Sequence, residues 1–172
     1  MSHLSTTVRV DASPETVFDI VADPARTPEW QSLVAEMLDM SGRPAGVGAS
    51  YVARYKVAGR RLETRFVVTA AERPTLLAVA GTTRGGWVGW TTVIERAGDG
   101  SIVRAALEFE LPGEIVGGLF GLLTANRVDR ELRRTYANLK RLAEAEAESR
   151  EHAGAGSPVT GIGDSLRLSS AD

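Results

Sequence analysis

Residues 128–143 read Val-Asp-Arg-Glu-Leu-Arg-Arg-Thr-Tyr-Ala-Asn-Leu-Lys-Arg-Leu-Ala, and their spacing decides the fold. Val128, Leu132, Thr135, Tyr136, Leu139, Leu142 and Ala143 recur at steps of three and four, the period of a single buried helical face. Arg130, Glu131, Arg133, Arg134, Lys140 and Arg141 fall mostly on the other side. The pattern predicts an amphipathic helix over residues 114–148, either continuous or as a short helix feeding a longer one. Carried backwards at about 100° per residue, the stripe reaches Ala125, Gly121 and Gly117, so its bulk falls away toward the N-terminal end. The expected arrangement is a helix lying across a sheet with room left under one end.

Outward from that helix the chain is mostly of period two. Thr6 to Asp11 alternate as a half-buried strand, and Ser13-Pro14-Glu15 then opens a helix carrying Val17, Phe18, Ile20 and Val21. Asp23-Pro24 ends it, and Thr27-Pro28-Glu29 starts a second short helix with Trp30 and Leu33. From Val34 onward strands follow one another. Val47, Ala49, Tyr51, Ala53, Tyr55 and Val57 are expected on one face, and beyond a reversal at Gly59 come Leu62, Thr64, Phe66, Val68 and Ala70. Turns are expected at Arg73-Pro74, Gly85-Gly86 and Gly98-Asp99-Gly100, with strands at Leu76 to Thr83, Trp87 to Arg96 and Val103 to Leu111. The result is an α+β domain over residues 1–148: about seven antiparallel strands in a meander whose first strand closes beside the last, covered by the long helix. Residues 149–172, rich in Gly, Ser and small side chains, are expected to form a disordered tail.

Composition narrows the chemistry. A hydrophobic content of 43%, a charged content of 24% and a net charge of −2 favour neither nucleic acid nor an anionic membrane as partner. No window approaches the roughly 20 apolar residues of a membrane span, and the first residues do not read as a secretory signal, so a cytoplasmic location is expected. With no cysteine, disulfides, thiolate metal sites and cysteine nucleophiles are excluded. The two histidines, His3 and His152, sit in the expected termini, which argues against an imidazole base or a histidine-bound metal; no metal or other cofactor is called for.

The order of elements resembles the helix-grip fold of the START-like superfamily, and within it the polyketide cyclase/dehydrase and lipid-transport family. The residues carrying the resemblance are Ser13-Pro14-Glu15-Thr16-Val17-Phe18-Asp19, the segment from Asp23 to Trp30, Gly46-Val47-Gly48, and Gly117-Gly118-Leu119-Phe120-Gly121-Leu122-Leu123 leading to Arg133 and Leu139-Lys140-Arg141-Leu142. It extends from about residue 4 to 147. It implies a curved sheet wrapped around the C-terminal helix, with a cavity between them that takes sterols, lipids, polyketides or other apolar molecules. Members range from cyclases to carriers without chemistry, so the family alone does not choose between them.

The residues point to a binding cavity more than to a reaction centre. Tyr51 and Tyr55 alternate with apolar residues on the face to be covered, where a phenol needs a hydrogen-bond partner that a ligand oxygen can supply. Thr64, Phe66, Trp90, Leu107 and Phe109 belong to the same face and are expected as walls, and Gly121, Thr124, Ala125 and Val128 as the helix side of the cavity. Glu108 and Glu110 share a face with Arg104 and read as a solvated charge pattern rather than an acid/base pair. No catalytic constellation is recognisable. Three functions remain: binding of a small hydrophobic or amphipathic molecule; a polyketide cyclase or dehydratase acting mainly by positioning its substrate; and a module using the apolar Ile115–Leu123 segment to meet a membrane or another protein.

Overall fold

A computed structural model describes residues 2–57, 60–83, 86–110 and 125–155. Strand β1 (Ser2–Val10) is followed by helix α1 (Pro14–Val21), a 3₁₀ turn (Pro24–Arg26) and the single-turn helix α2 (Thr27–Trp30). Six strands come next: β2 (Val34–Ser41), β3 (Ser50–Val57), β4 (Arg60–Glu72), β5 (Leu76–Thr83), β6 (Gly86–Ala97) and β7 (Gly100–Glu110). Helix α3 spans Ala125–Ala155. The strands form one antiparallel sheet in the order β1-β7-β6-β5-β4-β3-β2, so the first strand does close beside the last. This is the helix-grip arrangement, with a curved sheet and short helices after β1.

Local signals explain most of these boundaries. The Ser13 hydroxyl accepts from the Thr16 backbone N–H at 3.2 Å, capping α1, with Pro14 at its first position. Asp23 caps the 3₁₀ turn in the same way, accepting from the Ala25 N–H at 2.9 Å. The β6–β7 hairpin closes with Ala97 opposite Gly100, and Gly98 takes a φ of 63°, a left-handed value that a side chain would strain. Register shifts in the β2–β3 and β4–β5 pairs mark bulges that bend the sheet.

The buried interior falls into two clusters. The larger joins Val10, Val17, Phe18, Ile20, Ile94 and Val103 to Leu132, Tyr136, Leu139 and Ala143 of α3, which confirms the helical face read from the sequence. Each large side chain fully buried there contributes on the order of 1.5–3 kcal/mol of transfer free energy. The smaller cluster centres on Val34, Ala53 and Phe66 in the β2–β4 half of the sheet. Helix α3 packs chiefly on β1, with α1 and α2 along its flank. Polar bonds hold it in register. Glu144 accepts from the Asp11 N–H at 2.8 Å, Lys140 Nζ donates to the Arg9 carbonyl at 3.0 Å, and Arg26 pairs with Glu146.

Some expectations need correction. Val47 and Ala49 are not strand residues: β3 starts at Ser50, and Val47 is 69% exposed in the loop before it. Gly46 and Gly48 turn the chain there, Gly48 with a φ of 87°, so the period-two pattern ran on by accident into a loop. Helix α3 continues to Ala155, past the expected end at 148, because Ser149 through Ala153 offer no breaker. The expected helix start at 114–124, the turn residues Gly59 and Gly85, and residues 156–172 of the expected tail lie outside the described residues.

Candidate functional site

The concave face of the sheet and the short helices enclose a cavity of about 40 Å³. Its floor is Tyr51, Ala53 and Tyr55 of β3, Phe66 of β4, Leu77 and Val79 of β5, and Trp90 and Thr92 of β6. Val21, Thr27, Trp30 and Gln31 roof it, and Met37 of β2 closes one side. A second cavity of about 50 Å³ shares Val21, Thr27, Tyr51, Leu77 and Val79 with the first and runs toward the β2–β3 loop, between Pro24 and Ala45. Among the described residues lining the first cavity there is no carboxylate, ammonium, guanidinium or imidazole.

Strand alternation places these side chains. Tyr51, Ala53 and Tyr55 share one face of β3; Phe66 stands opposite Tyr51, and Gly81 of β5 stands opposite Phe66. The Tyr51 and Phe66 rings stack with centroids 5.6 Å apart and planes at 26°. Gly81 is required under this pair, since a Cβ there would lie 2.6 Å from the Phe66 ring and 2.9 Å from Thr64 Cγ2. A bulge between Val34 and Glu36 brings both Val34 and Met37 to the inner face beside Tyr55 and Ala53.

Three phenols sit in this interior, and they differ in their partners. Tyr136, 1% exposed, receives the Trp90 Nε1 hydrogen at 2.7 Å and shares a hydrogen bond with Thr92 Oγ1 at 2.7 Å. Burial pushes its pKa up to about 12, although both bonds pull the other way. Tyr51 and Tyr55 are half-buried by area yet closely surrounded by protein, and their hydroxyls have no hydrogen-bond partner among the described residues. Burial pushes Tyr51 up to about 12, and burial together with the nearby Tyr51 pushes Tyr55 higher still. Both phenols are therefore neutral donors at physiological pH. The indole N–H of Trp30 is buried and also lacks an acceptor among the described residues, while its ring meets Tyr136 edge-on at 5.9 Å.

Of the residues expected at the site, Tyr51, Tyr55, Phe66 and Trp90 line the cavity together. Thr64, Leu107, Phe109 and Val128 line neither cavity. Thr64 is buried beside Gly81, Leu107 stands between Leu4 and Trp90, and Phe109 pairs with Val88 and Ser2 at the far end of β7. Ala125 opens α3, but its side chain, Gly117, Gly121, Thr124 and the Ile115–Leu123 surface lie outside the described residues. Sequence reasoning missed Val21, Thr27 and Gln31, because nothing local shows that the short helices turn these residues over the sheet. Leu77 and Val79 were missed as well, although alternation along β5 puts them on one face, and Met37 was hidden by its bulge. Among the described residues no group of three His, Asp or Glu side chains is close enough to hold a metal ion, and no helix is long and apolar enough to cross a membrane.

Comparison with known proteins agrees with this architecture. Residues 1–144 match the family described as polyketide cyclase/dehydrase and lipid transport. A Thermus thermophilus protein of known structure superposes with a TM-score of 0.67 at 17% identity, covering 85% of this chain and 99% of that one. A START superfamily protein from Mycobacterium smegmatis gives 0.60 at 20% identity, with 86% and 98% covered. A polyketide-cyclase-like protein from Corynebacterium glutamicum gives 0.55 at 22% identity, with 87% and 96% covered. No curated protein matches the chain. The strand order, the helix laid against the sheet and the matched span lead to one conclusion: the chain belongs to the polyketide cyclase/dehydrase and lipid-transport family.

Proposed function

We propose that the protein binds a small hydrophobic or amphipathic molecule in the cavity between the sheet and the short helices that follow β1, rather than directly under the described part of the C-terminal helix. The observation that carries this reading is the pair of phenols Tyr51 and Tyr55, whose hydroxyls have no partner among the described residues, in a cavity lined mainly by apolar and aromatic side chains with Thr27, Gln31 and Thr92 beside them. An oxygen-bearing guest can accept from either phenol while burying its own apolar surface, the latter worth roughly 25 cal/mol per Å². The family's association with small hydrophobic ligands supports the same reading. As phenols that stay protonated near pH 7, these residues are suited to orienting a ligand rather than to removing a proton from it. Native mass spectrometry of freshly purified protein is expected to show a co-purified small molecule, and a lipid and polyketide panel is expected to raise the melting temperature. Absence of any adduct together with no thermal shift across the panel overturns the proposal.

A further inference from the structure

The helices pack against the concave side of the sheet, and no described helix covers its convex side. Phe66, Val79, Trp90 and Leu107 point inward, so the residues alternating with them on β4–β7 face out. The registers of these four strands set the outward residues in rows. One central row is Ala70, Ala78, Thr91 and Ala106, and the next is Val67, Ala80, Gly89 and Glu108. The small side chains keep the centre flat, and Val67 is 38% exposed on it. Trp87 adds to the flatness. A Cβ on Gly89 would lie 2.6 Å from Cη2 of the Trp87 indole, so the ring lies along the sheet over Gly89 instead of standing off it.

The two outer rows end in opposite charges. Arg65 on β4 and Glu110 on β7 bound the row that contains Thr82 and Trp87; Glu72 on β4 and Arg104 on β7 bound the row that contains Leu76 and Val93. All four charged side chains are exposed. Arg65 reaches Asp39 only at 3.9 Å, and Arg104 meets Glu95 in a pair that is also at least half exposed, so neither arginine is tied up in a strong contact. The charge sign therefore alternates around an apolar, flat centre.

We propose that this face is the interface of a weak homodimer, formed with a second copy of the chain about a two-fold axis that crosses the strands between the two central rows. That operation lays Arg65 of one copy opposite Glu72 of the other and Glu110 opposite Arg104, each contact made twice. It also sets Val67 on Ala70 and the bulk of Trp87 over Val93, which keeps the layers level. An axis along the strands would instead press Glu108 against Val67 and crowd both indoles at one end. The strand spacing and rise give a patch of about 15 by 20 Å, or roughly 500 Å² per copy with side chains included. Twice that area sits at the lower end of specific interfaces, which sets the dissociation constant on the order of 100 μM. The proposal does not depend on the ligand-binding reading, because the cavity lies on the other side of the sheet.

The test is sedimentation equilibrium of the full chain from about 10 μM to about 1 mM, the range that brackets such an interface. A monomer–dimer equilibrium is expected, weakened at least about tenfold by Arg65→Glu or by Glu72→Arg, since each puts like charges face to face at two places. Mixing the two variants is expected to recover dimers, because each then offers the sign the other lacks. Thr91→Arg, at the centre of the patch, is expected to abolish association without altering the melting temperature. A chain that stays monomeric throughout, whatever other protein the face then serves, overturns the proposal. So does a dimer indifferent to Thr91→Arg, or a mixture of the two charge variants that recovers nothing.

Discussion

Replacing Tyr136 with phenylalanine deletes one oxygen and leaves two partners stranded. The Trp90 N–H loses the acceptor it reaches at 2.7 Å, and Thr92, 2% exposed, loses the hydroxyl it meets at 2.7 Å. Each buried group left without a partner costs about 1–3 kcal/mol, partly offset because the mutant no longer desolvates a phenol, so the net loss is about 2–4 kcal/mol. For a domain of this size that corresponds to a melting temperature lower by about 5–15 °C. The aromatic contacts of Tyr136 with Trp30 and Trp90 survive in the variant, which isolates the oxygen. Urea unfolding followed by tryptophan fluorescence measures the loss. Adding Thr92→Val to Tyr136→Phe is expected to cost less than the sum of the two single changes by about 1 kcal/mol, since the two hydroxyls share one bond. A Tyr136→Phe variant within about 0.5 kcal/mol of the parent in the same urea assay would refute the reasoning that this triad ties helix to sheet.

The remaining expectations follow from the same interior. Tyr55→Phe, which removes a hydroxyl without a described partner, is expected to leave stability unchanged or raise it by up to about 1 kcal/mol; a loss above that by urea unfolding contradicts the burial argument. Gly81→Ala is expected to push the Phe66 ring off its seat, costing about 1–3 kcal/mol in thermal unfolding and weakening ligand uptake, and an unaltered melting curve counts against the close approach. All three tyrosines of the chain have raised pKa values in the folded state, so folding favours the protonated phenols. Their contribution is complete below pH 10, the ordinary tyrosine value, and is lost as pH rises through about 12, where Tyr51 and Tyr136 ionise. Absorbance at 295 nm is therefore expected to stay flat through pH 10 and to rise together with loss of circular dichroism. A phenolate signal centred on pH 10 in still-folded protein contradicts it.

Much of the fold was legible in the sequence because its signals are periodic and local. Leu132, Tyr136, Leu139 and Ala143 lie four, three and four residues apart, and all four are buried. The capping sequence Ser13-Pro14 and the Gly98 turn each settle a boundary without outside help. The site was less legible because it is assembled across the chain. Alternation on β3 was enough to bring Tyr51 and Tyr55 inward, but it also carried Val47 into a strand that begins three residues later, at Ser50. Whether Thr64, Leu107 or Phe109 reaches the cavity depends on register and on where α2 lies, and neither is encoded in a short window. Trp30 was read only as part of the second short helix, and its N–H without an acceptor among the described residues emerges only in three dimensions.

The division of the interior into two clusters has an evolutionary consequence. The helix, β1, β6, β7 and the short helices account for the deepest packing, whereas Val34, Ala53, Phe66, Tyr51 and Tyr55 belong to the other half of the sheet. On the proposed function, substitutions among β2–β5 alter what the cavity accepts while the framework keeps its cohesion. On that reading, a lineage built this way can diversify its guests by small steps without passing through misfolded ancestors.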